Sequence, residues 1–253
     1  MSDILLVLLA GAAAGALNAI GGGGTFVALP VLVALGLSPV TANALSRVAL
    51  VPGALAGAWV YRRELAPVGA ASTKSLTAVS AIGGGVGGIL LLALPASSFD
   101  AAAPWLLAFA TTILALGPRL SRALNAALGR SVGMSSNAVL ISQFVLAVYG
   151  GYFGGAVGIL MLALWSVGLG LDATVSNPMR VAQLAAIYLS ATVLFLVASD
   201  ALTAPLVLTC MLVGAVAGGF AGAHLARRLP ARPLRSVILT TAVLMTVLYF
   251  LRG

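Results

Sequence analysis

The sequence predicts an all-α polytopic membrane protein built from two repeated halves. Hydrophobic residues make up 61% of the 253 positions and charged residues only 7%, whereas soluble domains average about half and about a quarter. Apolar runs long enough to cross a hydrocarbon core of roughly 30 Å recur along the chain, separated by polar residues. Because these runs are continuous rather than alternating, we expect helices and not barrel strands.

Eight apolar segments follow one another along the chain. They lie near residues 4–36, 43–61, 76–94, 103–117, 136–170, 178–198, 203–224 and 235–251. The first and fifth are interrupted by the glycine-rich stretches IGGGGTF and YGGYFGGAVG, and only about 12 apolar residues follow each interruption. Twelve helical residues cover about 18 Å, so we expect each of these two segments to be a re-entrant helix pair. The other six are predicted to be full spans, although residues 4–20 are long enough to cross alone.

One constant offset relates the two halves. A shift of 134 positions brings Gly21 onto Gly155 and Asn43 onto Asn177. The same shift aligns the later stretches AIGGGVGG and AVAGGFAG. A fixed offset through separate motifs indicates duplication rather than chance. The predicted organisation is repeat one at 1–119, a basic cytoplasmic linker at 120–134 and repeat two at 135–253.

The basic residues indicate that the two repeats are inverted. Arg62 and Arg63 follow the second segment, but their equivalents in the second half are Leu196 and Val197. If basic loops face the cytoplasm, the halves have opposite orientations, and each must cross the membrane an odd number of times. Three spans plus one re-entrant pair per half satisfy that condition and place both termini outside the cytoplasm.

The two glycine breaks are the first candidate binding site. Glycine weakens a helix, and backbone N–H groups without partners are costly in lipid. Free N–H groups ahead of a half-helix form a concave, partly positive surface that suits an anion. The candidate residues are Gly21, Gly22, Gly23, Gly24, Gly154, Gly155 and Gly158. The alternative is that these glycines only permit close packing of helices.

A second paired motif follows each half-helix, ANALSR in the first half and SNPMR in the second. Its candidate binding residues are Asn43, Ser46, Arg47, Ser176, Asn177 and Arg180. The two arginines lie in no basic cluster and are followed by apolar runs, and a charge in such a place usually faces a partner or a wet cavity. The alternative is that both side chains extend to the lipid headgroups as anchors.

Other classes of function find little support in the sequence. No GxSxG, HExxH or P-loop motif occurs, so we expect no enzyme activity and no cofactor. Cys210 is the only cysteine, and His224 is the only histidine, so no metal site is predicted. The net charge of +8 comes from arginines at segment ends, not from a polar face, which argues against nucleic-acid binding.

Several of these stretches are similar to one known family of membrane proteins. The stretches are LNAIGGGGTFVALPVLVALGLSPVTANA, PGALAGAWVYRREL, SNPMRV and GGFAGAHLARRLPARPLR. Together they resemble the sulfite exporter TauE/SafE family, also called toluene sulfonate uptake permeases. The resemblance implies a multi-pass carrier in the bacterial inner membrane for small anions such as sulfite, sulfonates and sulfoacetate. Ala156 and Val157 stand where the family pattern has glycines, so the resemblance leaves the anion open.

The function expected from these observations is secondary transport of a small anion, with export as the implied direction and alternating access between inverted repeats. The expected partners are the anion, the lipid bilayer and a coupling ion, either a proton or sodium, and small-residue helix faces would permit a homodimer. Two alternatives remain open. One is a channel or carrier for another small organic anion, and the other is a membrane sensor or assembly subunit that moves no solute.

Overall fold

The computed structural model describes residues 2–128 and 133–226, together with residues 236, 239, 240, 243, 244, 246, 247 and 250. Within these residues the fold is helical and contains no strand. The helices with consecutive bounds are α1 (Ser2–Gly21), α2 (Thr25–Ala34), α3 (Pro39–Tyr61), α4 (Thr73–Ala93), α5 (Ala96–Leu128), α6 (Ser136–Tyr152), α7 (Val157–Leu169), α8 (Ala173–Ala198) and α9 (Pro205–Ala226). The prediction of an all-α protein is confirmed, while most of the predicted segment 235–251 lies outside the described residues.

Five of the described helices are long and apolar enough to cross a membrane. The five stretches are Asp3–Ile20, Pro39–Tyr61, Thr73–Ala93, Thr174–Ala198 and Pro205–Leu225. The protein is therefore a multi-pass membrane protein. The helices after the two breaks, α2 and α7, are shorter, as expected for half-helices. That the two broken segments are re-entrant stays a prediction for both, and α1 is itself long enough to span.

Side-chain caps fix where several of these helices begin. Ser38 precedes α3, and its Oγ accepts a hydrogen bond from the N–H of Thr41 at 3.2 Å. Asp172 precedes α8, and its Oδ1 accepts one from the N–H of Thr174 at 2.7 Å. These contacts satisfy N–H groups that have no partner in the first helical turn. Ser38 and Asp172 are 134 positions apart, and each caps the helix that follows one of the short helices α2 and α7.

The packing exchanges helices between the halves. The first helix of one half lies along the fourth helix of the other, so that α1 packs on α9 and α6 packs on α4. Glycines make both approaches close: a Cβ at Gly15 would lie 2.8 Å from the N of Gly219, and one at Gly87 would lie 2.6 Å from the N of Tyr152. The third helix of each half also packs on the fourth helix of the other, with α3 on α9 and α8 on α4.

The chain breaks its helices where the glycine-rich stretches were expected to do so. Three residues separate α1 from α2, and Phe153 to Ala156 separate α6 from α7. Gly22 has a φ of 75° and Ala156, 134 positions later, has a φ of 57°. Both therefore adopt the left-handed conformation that favours glycine.

Helix α5 extends beyond its predicted limits. The sequence indicated an apolar segment at 103–117, but the helix begins at Ala96 and continues to Leu128. The basic stretch that was expected to link the halves is thus helical as far as Leu128. The prediction was too short because alanine and leucine continue among the arginines of this stretch, and these residue types favour helix regardless of what solvent surrounds them.

Candidate functional site

The first helix break touches the start of α7, the helix that follows the second break. A Cβ added at Gly22 would lie 2.9 Å from the Cα of Gly158 and 3.1 Å from Nη1 of Arg180. A Cβ at Gly158 would in turn lie 2.7 Å from the same nitrogen. Only glycines allow this backbone approach. The structure therefore brings the two predicted glycine groups together, with one of the predicted arginines beside them.

The first break uses its own N–H groups. The N–H of Gly22 donates to the carbonyl of Leu17 at 3.0 Å, and that of Gly23 donates to the same carbonyl at 3.4 Å. The N–H of Gly24 donates to Oδ1 of Asn18 at 2.8 Å. These bonds end α1 and hold the break closed. Three of the N–H groups expected to bind an anion are thus occupied within the protein in this conformation.

The second break is built differently. Tyr149 holds it from α6, because its hydroxyl donates to the carbonyl of Gly155 at 2.8 Å. The N–H of Gly154 donates to the carbonyl of Tyr149 at 3.3 Å. In the described part of the chain, the N–H groups of Gly155 and Gly158 donate no hydrogen bond. The second break and the first turn of α7 therefore retain free donors of the kind that an anion site requires.

Arg180 reaches from α8 to the end of α1. Its side chain is 0% exposed. Nη2 donates to the carbonyl of Ala19 at 2.8 Å, and Nη1 donates to that of Asn18 at 3.3 Å. Asn177, one turn earlier on α8, accepts from Nε at 2.9 Å and from Nη2 at 2.7 Å. The guanidinium thus lies over the negative end of the α1 dipole, which is where a cation is stabilised.

Arg47 makes the reciprocal contact, from α3 to the end of α6. It is also 0% exposed, and Nη1 donates to the carbonyl of Gly150. The guanidinium lies beside Gly154 and 4.9 Å from the ring centre of Tyr188. Its Nε is buried without a hydrogen-bond partner. Asn43 supports the same helix end, since its Nδ2 donates to the carbonyl of Tyr152 at 2.8 Å.

Burial of both guanidinium groups argues against the headgroup-anchor alternative for these arginines. A headgroup anchor would extend to the protein surface, whereas both side chains are enclosed and bonded to backbone carbonyls of the opposite half. These contacts do not fit an anchor, and binding of an anion by Arg47 and Arg180 stays a prediction. The partners of Arg47 and Arg180 are carbonyl and amide oxygens, and no carboxylate pairs with either arginine among the described residues.

The predicted serines lie outside this arrangement, and Gly21 belongs to a helix. Ser46 donates from its hydroxyl to the carbonyl of Asn43 at 2.8 Å, within its own helix. Ser176 is buried in the first turn of α8, where its N–H donates to the carbonyl of Asp172. Gly21 is the last residue of α1 and not part of the break. Neither serine is hydrogen-bonded to either arginine among the described residues.

Three residues at the site had not been predicted. Asn18 binds Gly24 and accepts from Arg180, and its Nδ2 is buried without a partner. The hydroxyl of Tyr188 lies 3.5 Å from both Oγ1 of Thr25 and the carbonyl oxygen of Gly154, so it lies between the two breaks. Asn18 could have been found as an amide inside an apolar run next to glycines, but no local signal marks Tyr188 or Thr25.

The arrangement places two unneutralised positive charges beside free N–H donors in a buried setting. Burying a charge is costly unless a partner compensates it, and an anion between the breaks would supply that compensation. Nothing in this set resembles a nucleophile with a positioned base. Among the described residues, no group of three or more histidine, cysteine, aspartate or glutamate side chains could hold a metal ion.

Comparison with known protein families gives a match. A family model described as sulfite exporter TauE/SafE matches residues 7–249, nearly the whole chain. The chain belongs to this family. Members of the TauE/SafE family are membrane transporters and not enzymes, in agreement with the prediction of no enzyme activity. No curated protein and no solved structure matches the chain.

Proposed function

We propose that this TauE/SafE family member is a secondary transporter of small anions such as sulfite, sulfonates or sulfoacetate. The observation that carries the proposal is a pair of buried arginines without carboxylate partners among the described residues. Arg180 lies beside the contact of Gly22 with Gly158, and Arg47 lies beside Gly154 in the second break. The two charges attract an anion strongly at this depth, because the surroundings screen them poorly. Their forked donors suit the oxygens of a sulfite or sulfonate group.

Each half of the site is completed by the other half. Arg47 and Asn43 bind the carbonyl end of α6, and Arg180 binds the carbonyl end of α1. The exchange of helix contacts between α1–α9 and α6–α4 supports two related halves around this centre. We infer that these halves are inverted repeats, with residues 1–119 and 135–253 rocking against each other to expose the anion alternately to the two sides.

The substrate must displace existing bonds in order to bind both arginines. In this conformation the arginines donate to Gly150, Asn18 and Ala19. An anion that draws the guanidinium groups toward the free N–H groups of Gly155 and Gly158 weakens the contacts between the halves. Binding would then favour a different arrangement of the repeats, as a ligand must if it is to shift a conformational equilibrium. The setting is a bacterial inner membrane, with export as the direction that the family name implies.

Counterflow in proteoliposomes tests the proposal. The purified full chain would be reconstituted into liposomes loaded with unlabelled sulfite, and the entry of radiolabelled sulfite would be followed against empty liposomes. A carrier gives saturable, transient accumulation that unlabelled sulfonates inhibit. Linear, non-saturating entry would indicate a channel instead. Absence of entry across a panel of sulfite, sulfonates and sulfoacetate would contradict the proposal and favour a sensor or assembly role.

A further inference from the structure

A second buried polar cluster lies between α4, α6 and α8. Gln143 on α6 donates from Nε2 to the hydroxyl of Ser80 at 2.8 Å. Gln183 on α8 donates from Nε2 to the hydroxyl of Thr77 at 3.1 Å. Thr77 and Ser80 are three positions apart on α4 and therefore neighbours on its surface. Both glutamine amides thus reach the same turn of α4 from two different helices.

The amide oxygens of this cluster have no partner. Each Nε2 has a second acceptor in a thioether, at 3.8 Å from Sδ of Met161 for Gln143 and at 3.1 Å from Sδ of Met179 for Gln183. Both glutamines are fully buried, and both Oε1 atoms lack a hydrogen bond. Turning either amide around would let the hydroxyl of Ser80 or Thr77 donate to its oxygen, but it would leave Nε2 without an acceptor. One amide atom of each glutamine therefore stays unpartnered in either orientation, and in this structure it is Oε1.

Packing of the repeated fold does not require these polar residues. At the positions related by the offset of 134, the chain has Met211 and Gly214 in place of Thr77 and Ser80, and Leu9 and Ala49 in place of Gln143 and Gln183. The equivalent contact of α9 with α1 and α3 is thus formed by apolar and small residues. The contact of α4 with α6 and α8, by contrast, buries two glutamines whose oxygens lack partners, and this burial costs free energy. That cost points to a ligand.

A row of hydroxyl groups leads to this cluster from one end of α4. Thr73, Thr77 and Ser80 occupy positions i, i+4 and i+7, so they lie on one face of the helix. Thr73 begins the helix, and seven residues of rise place Ser80 about 10 Å deeper. Thr77 is half-buried and Ser80 fully buried. The three hydroxyl groups thus form a line from the start of α4 to the cluster.

We propose that Gln143, Gln183, Thr77 and Ser80 bind a small monovalent cation, for which sodium is the probe. Oxygen atoms of amides and hydroxyls are ligands for hard cations. All four side chains are neutral, so the site suits a single charge and lacks the carboxylates on which tight divalent sites depend. Binding supplies both unpartnered amide oxygens with a positive partner at once.

The cation site lies close enough to the arginines to be coupled to the anion. Gln183 is one turn from Arg180, and Gln143 is two turns from Gly150, whose carbonyl binds Arg47. At about 10 Å, one unit charge changes the affinity for another on the order of tenfold at the effective dielectric of a protein. Without an anion, the positive charges of the arginines lower the affinity for the cation. A bound anion offsets these charges. Each ion would thus raise the affinity for the other. This coupling rests on the proposed transport function, whereas cation binding does not.

Sodium-dependent stability of the purified full chain tests the site without any transport. The melting temperature would be measured in detergent as NaCl replaces choline chloride at constant ionic strength. We expect a saturable rise, on the order of 5 °C at saturating sodium. Gln143→Glu adds a charge and should shift the half-maximal sodium concentration at least tenfold lower. Gln143→Met and Ser80→Ala should abolish the rise.

The matched control is Ser142→Ala, because this neighbouring hydroxyl bonds only to carbonyls of its own helix, at 2.7 and 3.0 Å. It should leave the sodium response unchanged. A wild-type melting temperature that does not respond to sodium overturns the proposal, and so does an unchanged sodium response in Ser80→Ala. A sodium response without anion counterflow would contradict the transport function and leave the cation site standing. Anion counterflow without a sodium response would overturn the cation site and leave the transport function standing.

Discussion

Arg180 donates from Nη2 to the carbonyl oxygen of Ala19 at 2.8 Å, across 161 positions of sequence. This bond joins the end of α1 in the first half to α8 in the second. A charged donor placed on the last carbonyls of a helix satisfies both a hydrogen bond and the helix dipole. The contact therefore stabilises the break between α1 and α2 while leaving the charge of Arg180 unneutralised.

Two substitutions of Arg180 distinguish the effect of its charge from the effect of its forked hydrogen-bond donors. Arg180→Gln removes the charge and the fork, and we expect the initial rate of sulfite counterflow to fall about 100-fold, since charge-assisted hydrogen bonds contribute roughly 1.5–3 kcal/mol each. Arg180→Lys keeps the charge but loses the fork, and we expect a fall of about 10-fold. The melting temperature of each variant, measured beside the rate, shows how much of the loss is structural.

Arg62→Gln is the matched control for both substitutions. Arg62 is exposed, its Nη1 donates to the carbonyl of Trp59 at 2.7 Å and it stacks on that ring at 4.0 Å. Its replacement should leave counterflow within about twofold of wild type, because surface charges contribute little. Equal rates for Arg180→Gln and Arg62→Gln in folded protein would show that Arg180 binds no anion.

The close approach of the two breaks gives a second prediction. A Cβ at Gly158 would lie 3.2 Å from the Cα of Gly22, so Gly158→Ala must push the backbones apart or displace Arg180. We expect the half-saturating sulfite concentration to rise about tenfold. Gly85→Ala is the control, because a Cβ there meets nothing within 4 Å. It should raise stability by about 0.5–1 kcal/mol and leave transport unchanged. Identical half-saturating sulfite concentrations in the two variants would show that Gly158 does not contribute to the binding site.

Local rules were sufficient to find the helices and the breaks. Long apolar runs gave α3, α4, α8 and α9, and consecutive glycines gave the ends of α1 and α6, because both effects act within one or two helical turns. The arginines could be singled out because an isolated charge next to an apolar run is rare. Their partners could not, since Arg47 binds a carbonyl 103 positions away.

Residues brought in by tertiary packing were missed for the same reason. Tyr188 is one aromatic residue in an apolar helix, and only the folded chain places its hydroxyl between Thr25 and Gly154. The offset of 134 also does not pair the two arginines with each other, because Arg180 aligns with Ser46 and not with Arg47. The two arginines follow Asn43 and Asn177 by four and three residues, which is the same helix face.

Ala156 offers a prediction about the second break alone. Its φ of 57° is left-handed, which costs a residue with a Cβ about 1–2 kcal/mol, whereas its counterpart in the first half is Gly22. Ala156→Gly removes that strain but adds the chain entropy of glycine to the unfolded state. We expect a net gain of about 0.5–1 kcal/mol, seen as a melting temperature about 2–4 °C higher. A lower melting temperature would mean that packing of the buried Ala156 methyl outweighs the backbone strain.

The cap of α8 should make stability depend on pH. Hydrogen bonds from the hydroxyl of Thr174 and from its N–H hold the pKa of the Asp172 carboxyl below its usual range. A group whose pKa is lowered by folding stabilises the protein above its unfolded pKa, and this stabilisation is lost as the pH falls through its folded pKa. We therefore expect the melting temperature to fall between about pH 5 and pH 3. Part of this fall comes from the stabilisation that the cap loses when the Asp172 carboxyl is protonated.

Asp172→Ser isolates that contribution, because serine already caps the equivalent helix α3 at Ser38. Serine and aspartate are similar caps, so at pH 7 the melting temperature should be close to wild type, whereas Asp172→Ala should cost about 1 kcal/mol. Between pH 5 and pH 3 the serine variant should lose less stability than wild type, because its hydroxyl does not titrate. Parallel pH profiles for the two proteins would show that the Asp172 carboxyl does not stabilise α8 through its charge.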